Sequence, residues 1–239
     1  MKVDGPNSDC DFPPVGKEAK SAGRELQARH LAVSRYSAGM RGDLNQDSII
    51  HDLQSITERI DLAALFPLDQ RLELELGSGD GSFLTAYAAA HPECNFIGVE
   101  RLLGRVRKTD RKARRGGLKN VRCVRIESAY FLEFLLPPHC VSTLHIYFAD
   151  PWPKRKHWRH RLINPGFPRI AAQALTPEGT IFLRTDDEEY FNQILEVFQG
   201  SPLFREVATP TELASVLTDF ERDFNARGIP TRRAAFQRA

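Results

Sequence analysis

From about residue 67 onward, apolar and polar positions follow two alternating rhythms. Short runs rich in Leu, Val, Ile and aromatic residues read as strands: Leu72–Leu76, Asn95–Glu100, Val121–Ile126, Val141–Ala149, Thr180–Arg184 and Phe204–Ala208. Between them, apolar residues recur every three or four positions. That spacing predicts helices over Ser82–Ala90, Leu102–Arg115, Leu162–Leu175 and Glu188–Phe198. A last strand is expected near Arg233–Gln237, after a polar and basic segment that begins at Thr211. Strands alternating with helices make a mostly parallel sheet covered on both faces, the Rossmann-like, doubly wound α/β class. This domain is expected over 67–239. Ahead of it, residues 1–23 are rich in Gly, Pro, Ser and Asp and read as a disordered tail. Residues 24–66 read as a helical extension, with Asp52–Leu65 its best helix.

Composition narrows the class. A chain of 239 residues with 41% apolar content can bury a sizeable core. No apolar run approaches the roughly 18 residues of a membrane span, and no signal peptide is visible. Cys10, Cys94, Cys123 and Cys140 show no CxxC spacing, as expected of reduced cysteines in a cytoplasmic protein. His157 and His160 lack further ligands and sit among cations, so no metal site is expected.

The net charge of +2 hides an asymmetry. Between Arg101 and Arg125 stand eleven Lys or Arg residues against one acid, Asp110. Arg101, Arg105, Lys108, Lys112 and Arg115 fall on one helical face, with Leu102, Leu103, Val106 and Ala113 on the buried side. A cationic face so little neutralised is the footprint of a nucleic-acid binder.

Leu72-Glu73-Leu74-Glu75-Leu76-Gly77-Ser78-Gly79-Asp80-Gly81-Ser82 is a strand, a glycine turn and a helix start. Gly77 and Gly79 let the backbone turn tightly and approach a ligand. Such a turn serves a dinucleotide or S-adenosylmethionine, or is only a turn. Two details favour S-adenosylmethionine. Position 82 is Ser where a dinucleotide fingerprint has Gly. Glu75 precedes the first glycine, where a carboxylate suits a cation and repels a pyrophosphate. Glu100 ends the second strand, where an acid accepts ribose hydroxyls or simply favours the helix dipole.

The stretch Phe148-Ala149-Asp150-Pro151-Trp152-Pro153-Lys154-Arg155-Lys156-His157-Trp158-Arg159-His160-Arg161-Leu162 sets one acid between an apolar strand and a basic, aromatic loop. Pro151 and Pro153 stop the strand. A carboxylate at a strand end beside a polyanion grip suggests chemistry on nucleic acid. This segment resembles the FxDPWPKxRHxKRRL signature of the tRNA (guanine-N7)-methyltransferases. Arg184-Thr185-Asp186-Asp187-Glu188-Glu189-Tyr190 resembles the family's TDxxxY, and Thr218-Asp219-Phe220-Glu221 its TKFE, with Asp219 in place of Lys. The likeness runs from about Leu72 to the C-terminus.

The resemblance implies a class I methyltransferase that moves a methyl group from S-adenosylmethionine to N7 of a tRNA guanine, guanine 46 of the variable loop. It implies that Glu75, Glu100 and Asp150 contact the cofactor. The family's adenine-contacting Asp is replaced by Ser128, or Glu127 stands in from one position earlier. The substrate side would comprise Lys154, Asp186, Thr218, Asp219, Phe220 and Glu221. Asp186 also suits a helix cap. Asp150 is the residue chosen to stabilise the cationic product guanine, while Glu221 and Asp186 suit guanine's donor edge. Trp152 or Trp158 stacks on a base or packs. The expected partner is tRNA, with no membrane and no metal, for a monomer or homodimer. The rival readings are an RNA-binding protein without activity and a nucleotide-dependent oxidoreductase on the same fold.

Overall fold

Leu and Glu alternate along Arg71–Leu76, and this strand lies at the centre of the protein. The computed structural model describes residues 48–239. Eight strands form one sheet: β1 (Ile50–His51), β2 (Arg71–Leu76), β3 (Cys94–Val99), β4 (Val121–Val124), β5 (Val141–Tyr147), β6 (Leu175–Thr185), β7 (Phe204–Val207) and β8 (Arg232–Arg238). Their order is β1-β4-β3-β2-β5-β6-β8-β7. Pairs from β1 through β6 are parallel, and β8 runs antiparallel between β6 and β7. The helices are α1 (Ser82–Ala90), α2 (Leu103–Arg115), α3 (Ser128–Tyr130, continued by a wide turn over Phe131–Leu135), α4 (Phe167–Ala174), α5 (Glu188–Gln199), α6 (Thr211–Ser215) and α7 (Asp219–Ala226). The chain winds outward from β2 in one direction and from β5 in the other. The crevice between their carboxyl ends is where such sheets bind ligands. This is the α/β class expected from the sequence.

Every residue of β2 after Arg71 is buried, as befits a central parallel strand covered on both faces. Leu72, Leu74 and Leu76 enter the main core with Leu144, Ile146, Phe167 and Phe236. Glu73 and Glu75 alternate to the other face, which is a buried polar layer. There, His145 Nε2 lies 2.8 Å from Glu73, and its Nδ1 lies 2.8 Å from the Tyr147 hydroxyl. Burial lowers the His145 pKa despite the neighbouring carboxylate. The neutral ring then donates to Glu73 and accepts from Tyr147. Arg184, also buried, stacks on Tyr147 at 4.3 Å.

Several expected elements differ. The tail over 1–23 and residues 24–47 of the extension lie outside the described residues. Asp52–Leu65 is not helical, though Ile60 and Leu65 are buried in the core. Its backbone is spent elsewhere: Ser55 Oγ accepts from the Thr57 and Glu58 N–H groups, Asp61 from Ala63, and Ile60 N–H donates to Leu135 O at 2.8 Å. Local side-chain acceptors of this kind compete with helix formation. Residues 48–66 therefore join the sheet domain through β1 and the core. The helix expected over Leu162–Leu175 starts only at Phe167, because Asn164-Pro165-Gly166 forms a turn in which Asn164 Oδ1 accepts from Gly166 N–H at 3.0 Å. β5 stops at Tyr147, since Phe148 has φ 53°. Leu102, assigned to a buried face, is 48% exposed; Thr109 and Asp110 fill that side instead. The polar segment after Thr211 holds α6 and α7.

Arg184 fastens those two helices to the sheet. It donates to Leu213 O (2.6 Å), Val216 O (2.7 Å) and Glu221 Oε2 (2.8 Å). Arg233 holds the other oxygen of Glu221, which is fully buried. Removing one partner of a buried pair leaves a charge uncompensated, at a cost of about 3–5 kcal/mol. Arg184→Met is therefore expected to lose stability of about that size in urea unfolding. The double variant Arg184→Met/Glu221→Leu should lose less than the single. A single-variant loss below about 1 kcal/mol would show that the pair does not anchor the C-terminal helices.

Candidate active site

The loop after β2 is shaped by backbone that only glycine adopts readily. Gly79 has φ 57° and Gly81 φ 76°, and a Cβ on Gly81 would meet Thr109 at 2.3 Å. Gly77 and Ser78 N–H groups donate to Val99 O, stitching the loop to the end of β3. The next residue, Glu100, accepts from Gly79 N–H (3.2 Å) and Leu102 N–H (2.8 Å). Both its oxygens are thus aimed by backbone, and each retains acceptor capacity.

Glu75 is 3% exposed, and its Oε2 has no hydrogen-bond partner among the described residues. Burial raises its pKa well above the usual carboxylate range, Asp80 and Glu100 add to the rise, and Arg184 opposes it. A buried oxygen without a partner is costly. Lined by Glu75 and Glu100 beneath a glycine loop, the site fits a ligand that brings positive charge and hydroxyl donors.

Lys112 of α2 reaches Asp80 (2.8 Å) and Asp219 (3.6 Å), while Asp219 N–H donates to Ser82 Oγ at 3.2 Å. Lys112 thus links the acid of the glycine loop to the acid at position 219. These contacts set the start of α7 against the glycine loop. Thr218 Oγ1 caps that helix through Glu221 N–H at 2.9 Å, the first half of a capping box. Thr218 and Glu221, expected to face substrate, are instead 5% and 0% exposed. Both Glu221 oxygens are turned to guanidinium groups, and the carboxylate has no exposed surface. Phe220 is 49% exposed at the same helix start.

Asp150 lies three residues past the end of β5, on an exposed loop. Its Oδ1 accepts from Trp152 N–H at 3.1 Å, and Phe148 (φ 53°) and Trp152 (φ 45°) bracket it. Such conformations cost free energy for residues with side chains and persist only where the surroundings enforce them. Arg161 does the enforcing. Expected on a phosphate-binding loop, it is 2% exposed, donates to Pro151 O (2.6 Å) and pairs with Glu189 (3.0 Å). Its guanidinium lies between Trp158 (4.5 Å) and Tyr190 (5.0 Å). Trp158 is therefore a packing residue, whereas Trp152 meets the rings of His157 and His160. Lys154 is exposed, directly before the turn Arg155–His160.

Asp187, not Asp186, caps α5, accepting from Tyr190 N–H at 2.7 Å. Among the described residues the Asp186 carboxylate makes no hydrogen bond, so it stands available at the carboxyl end of β6. Glu127 accepts from Ala129 and Tyr130 N–H groups and so caps α3. Ser128 beside it is half-buried. On α2, Arg105 leans to Glu100 (3.8 Å), and Asp110 is buried, accepting from Ile49 N–H at 2.9 Å. Arg107, Lys108, Arg111 and Arg115 remain exposed. Among the described residues no group of His, Cys, Asp and Glu is placed to hold a metal, and no helix is long and apolar enough to cross a membrane. Sequence reasoning missed Arg184, Arg161 and Arg233, because nothing local distinguishes a buried arginine from an exposed one.

Residues 69–234 match the family described as "Putative methyltransferase". A tRNA (guanine-N(7)-)-methyltransferase of Chromohalobacter salexigens is 31% identical over 207 residues, 87% of this chain and 84% of that protein. This chain belongs to the tRNA (guanine-N7-)-methyltransferase family. A second family member, from Cutibacterium acnes, is 38% identical over 149 residues, 62% of this chain. The chain spans about half of that protein's length, 54%. The crystal structure of the 16S rRNA methyltransferase KamB superimposes with a TM-score of 0.52 at 18% identity, covering 71% of this chain and 88% of that one. That likeness concerns the methyltransferase fold alone.

For this family member, the raised pKa of Glu75 has a measurable consequence. Below the ordinary value of 4.5 the carboxyl is protonated in folded and unfolded chains alike. Above it, the unfolded chain loses the proton while the folded chain keeps it, so the Glu75 contribution falls as pH rises. Glu75→Gln removes that loss. In urea unfolding, the variant should match the wild type at about pH 4 and exceed it at about pH 8. An equal difference at both pH values would mean that Glu75 ionises normally in the fold.

Proposed function

We propose that this protein methylates N7 of a guanine in tRNA, guanine 46 of the variable loop, with S-adenosylmethionine as donor and in the cytoplasm. The observation that carries this reading is the partnerless, buried Glu75 oxygen beside the glycine loop, next in the sheet to the strand that leads to Asp150. Glu75 would face the cationic part of the cofactor and Glu100 its ribose hydroxyls, with Gly77 and Gly79 providing close backbone approach and Ser128 lying on the adenine side. When bound, S-adenosylmethionine supplies an electrophilic methyl group carried on a sulfonium.

Guanine N7 has a lone pair and no proton, so the protein needs no general base. Its contribution is positioning and electrostatics. Positive charge grows on the guanine as N7 is alkylated, and Asp150 would stabilise it. Asp186 would accept from the guanine N1–H and amino group. Lys154 and the exposed cations of α2 would hold phosphates. Thr218, Asp219 and Glu221 act by fixing the start of α7.

Labelled S-adenosylmethionine and unmodified total tRNA, followed by digestion to nucleosides, should yield 7-methylguanosine. Asp150→Ala should lower the rate by about 10²–10³-fold, the size seen when an electrostatic stabiliser is removed. Its circular dichroism should be unchanged. Activity within a few-fold of wild type would remove Asp150 from the mechanism.

Binding of tRNA should weaken steeply with salt. Arg105 and Lys112 already serve Glu100 and Asp80, so the decisive reversals are Arg107→Glu, Lys108→Glu and Arg111→Glu. Together they should reduce tRNA affinity and the salt slope while leaving cofactor affinity unchanged. A tRNA affinity that does not respond to salt would overturn this use of α2.

A further inference from the structure

The aromatic surface at the start of α7 has no part in the core. We infer that Phe220 is the platform on which the target guanine stacks; this deepens the methyl-transfer reading and rests on it. An isolated exposed hydrophobic residue is ordinary. Phe220 is different because its position is fixed from three sides. Thr218 caps its helix, the Asp219 N–H donates to Ser82 Oγ (3.2 Å), and Lys112 pairs with the Asp219 carboxylate (3.6 Å). The ring is backed by Phe148 (centroids 6.3 Å apart) and Phe224 (6.4 Å). Phe148 is two residues from Asp150, so the aromatic cluster adjoins the loop that carries the proposed charge stabiliser. Arg105 spans from Glu100 (3.8 Å) to the Phe220 ring (6.0 Å), so the ring is one side chain away from the acid assigned to the ribose.

The chemistry selects the occupant. Unstacked RNA bases are held on aromatic rings and guanidinium planes, and Phe220 with Arg105 offers both. A guanine alkylated at N7 is a cation, and the face of a phenyl ring attracts cations. The platform would thus hold the base and favour it more strongly as charge develops. Asp150 supplies the negative neighbour that such a product needs, whereas Asp219 is already paired with Lys112 and Arg222.

Phe220→Ala, Phe220→Leu and Phe220→Tyr separate a π face from mere apolar bulk. Base stacking is worth about 1–3 kcal/mol, which converts to roughly 5- to 150-fold in kcat/KM for tRNA. Ala and Leu should both lose this amount, Tyr should retain most activity, and the Kd for S-adenosylmethionine should be unchanged in all three. Calorimetric binding of 7-methylguanosine should show the same ranking without relying on turnover. Restoration of activity by Leu, a parallel loss of cofactor affinity, or unaltered binding of 7-methylguanosine by Phe220→Ala would each overturn the platform. If the wild type makes no 7-methylguanosine yet binds that nucleoside through Phe220, the catalytic reading fails and the platform stands. If it methylates tRNA and the three variants do not differ, the platform alone fails.

Discussion

A guanidinium taken out of water must find a partner for its charge, and Arg184 meets that demand with the C-terminal segment. It sits near the end of β6 with its donors on two backbone carbonyls, from α6 and the residue after it, and on the Glu221 carboxylate. None of these partners is local in sequence. Satisfying one buried cation therefore fixes where α6 and α7 lie. Because α7 starts where Glu221 is held, Asp219 falls against Ser82 and Lys112, and Phe220 emerges beside the glycine loop. The wall of the crevice proposed for the substrate is thus positioned by a buried interaction at the back of α6 and α7. Such a pair is weak evidence for added stability over an apolar substitute. Its value here is geometric, since the alternatives would strand a charge.

Arg161 applies the same constraint to the other wall. The loop from Phe148 to Trp152 takes two non-glycine residues into left-handed conformations, which does not persist by local preference. Arg161 ties Pro151 O to Glu189 and Gln193 of α5, and lies between Trp158 and Tyr190. The basic loop is consequently not a uniform phosphate-binding surface. One of its arginines is a core residue that holds the loop's shape, and that shape presents Asp150 and Lys154.

What the sequence revealed follows from what is local. Hydrophobic patterning located β2 to β6, α1, α2 and α5, because the helices bury one face and the central strands bury both. Glu75 and Glu100 drew notice as acids at strand ends beside glycines, and the fold shows one with a partnerless buried oxygen and the other held by Gly79 and Leu102 N–H groups. The Asp52–Leu65 segment misled because its apolar spacing reflects burial, while Ser55 and Asp61 divert the backbone from a helix. The Thr218-Asp219-Phe220-Glu221 motif carried a readable capping signal, masked by its likeness to a substrate motif. Arg161, Arg184 and Arg233 were not legible at all. Composition places arginine at the surface, and only the tertiary fold shows which few are surrounded.

The buried polar layer also explains why one carboxyl oxygen beside the glycine loop is left without a partner. Arg184 is close enough to Glu75 to oppose the rise of its pKa, yet its hydrogen bonds go to Glu221 and to backbone carbonyls. Asp80 is engaged by Lys112, and Glu100 by two backbone N–H groups. Every acid near the glycine loop is thus provided for except one oxygen of Glu75. Were Arg184 not committed to Glu221, it could turn to Glu75 and occupy the oxygen that is left without a partner. The interaction that positions α6 and α7 therefore also leaves one oxygen of Glu75 unsatisfied beside the glycine loop, so both features depend on the same buried arginine.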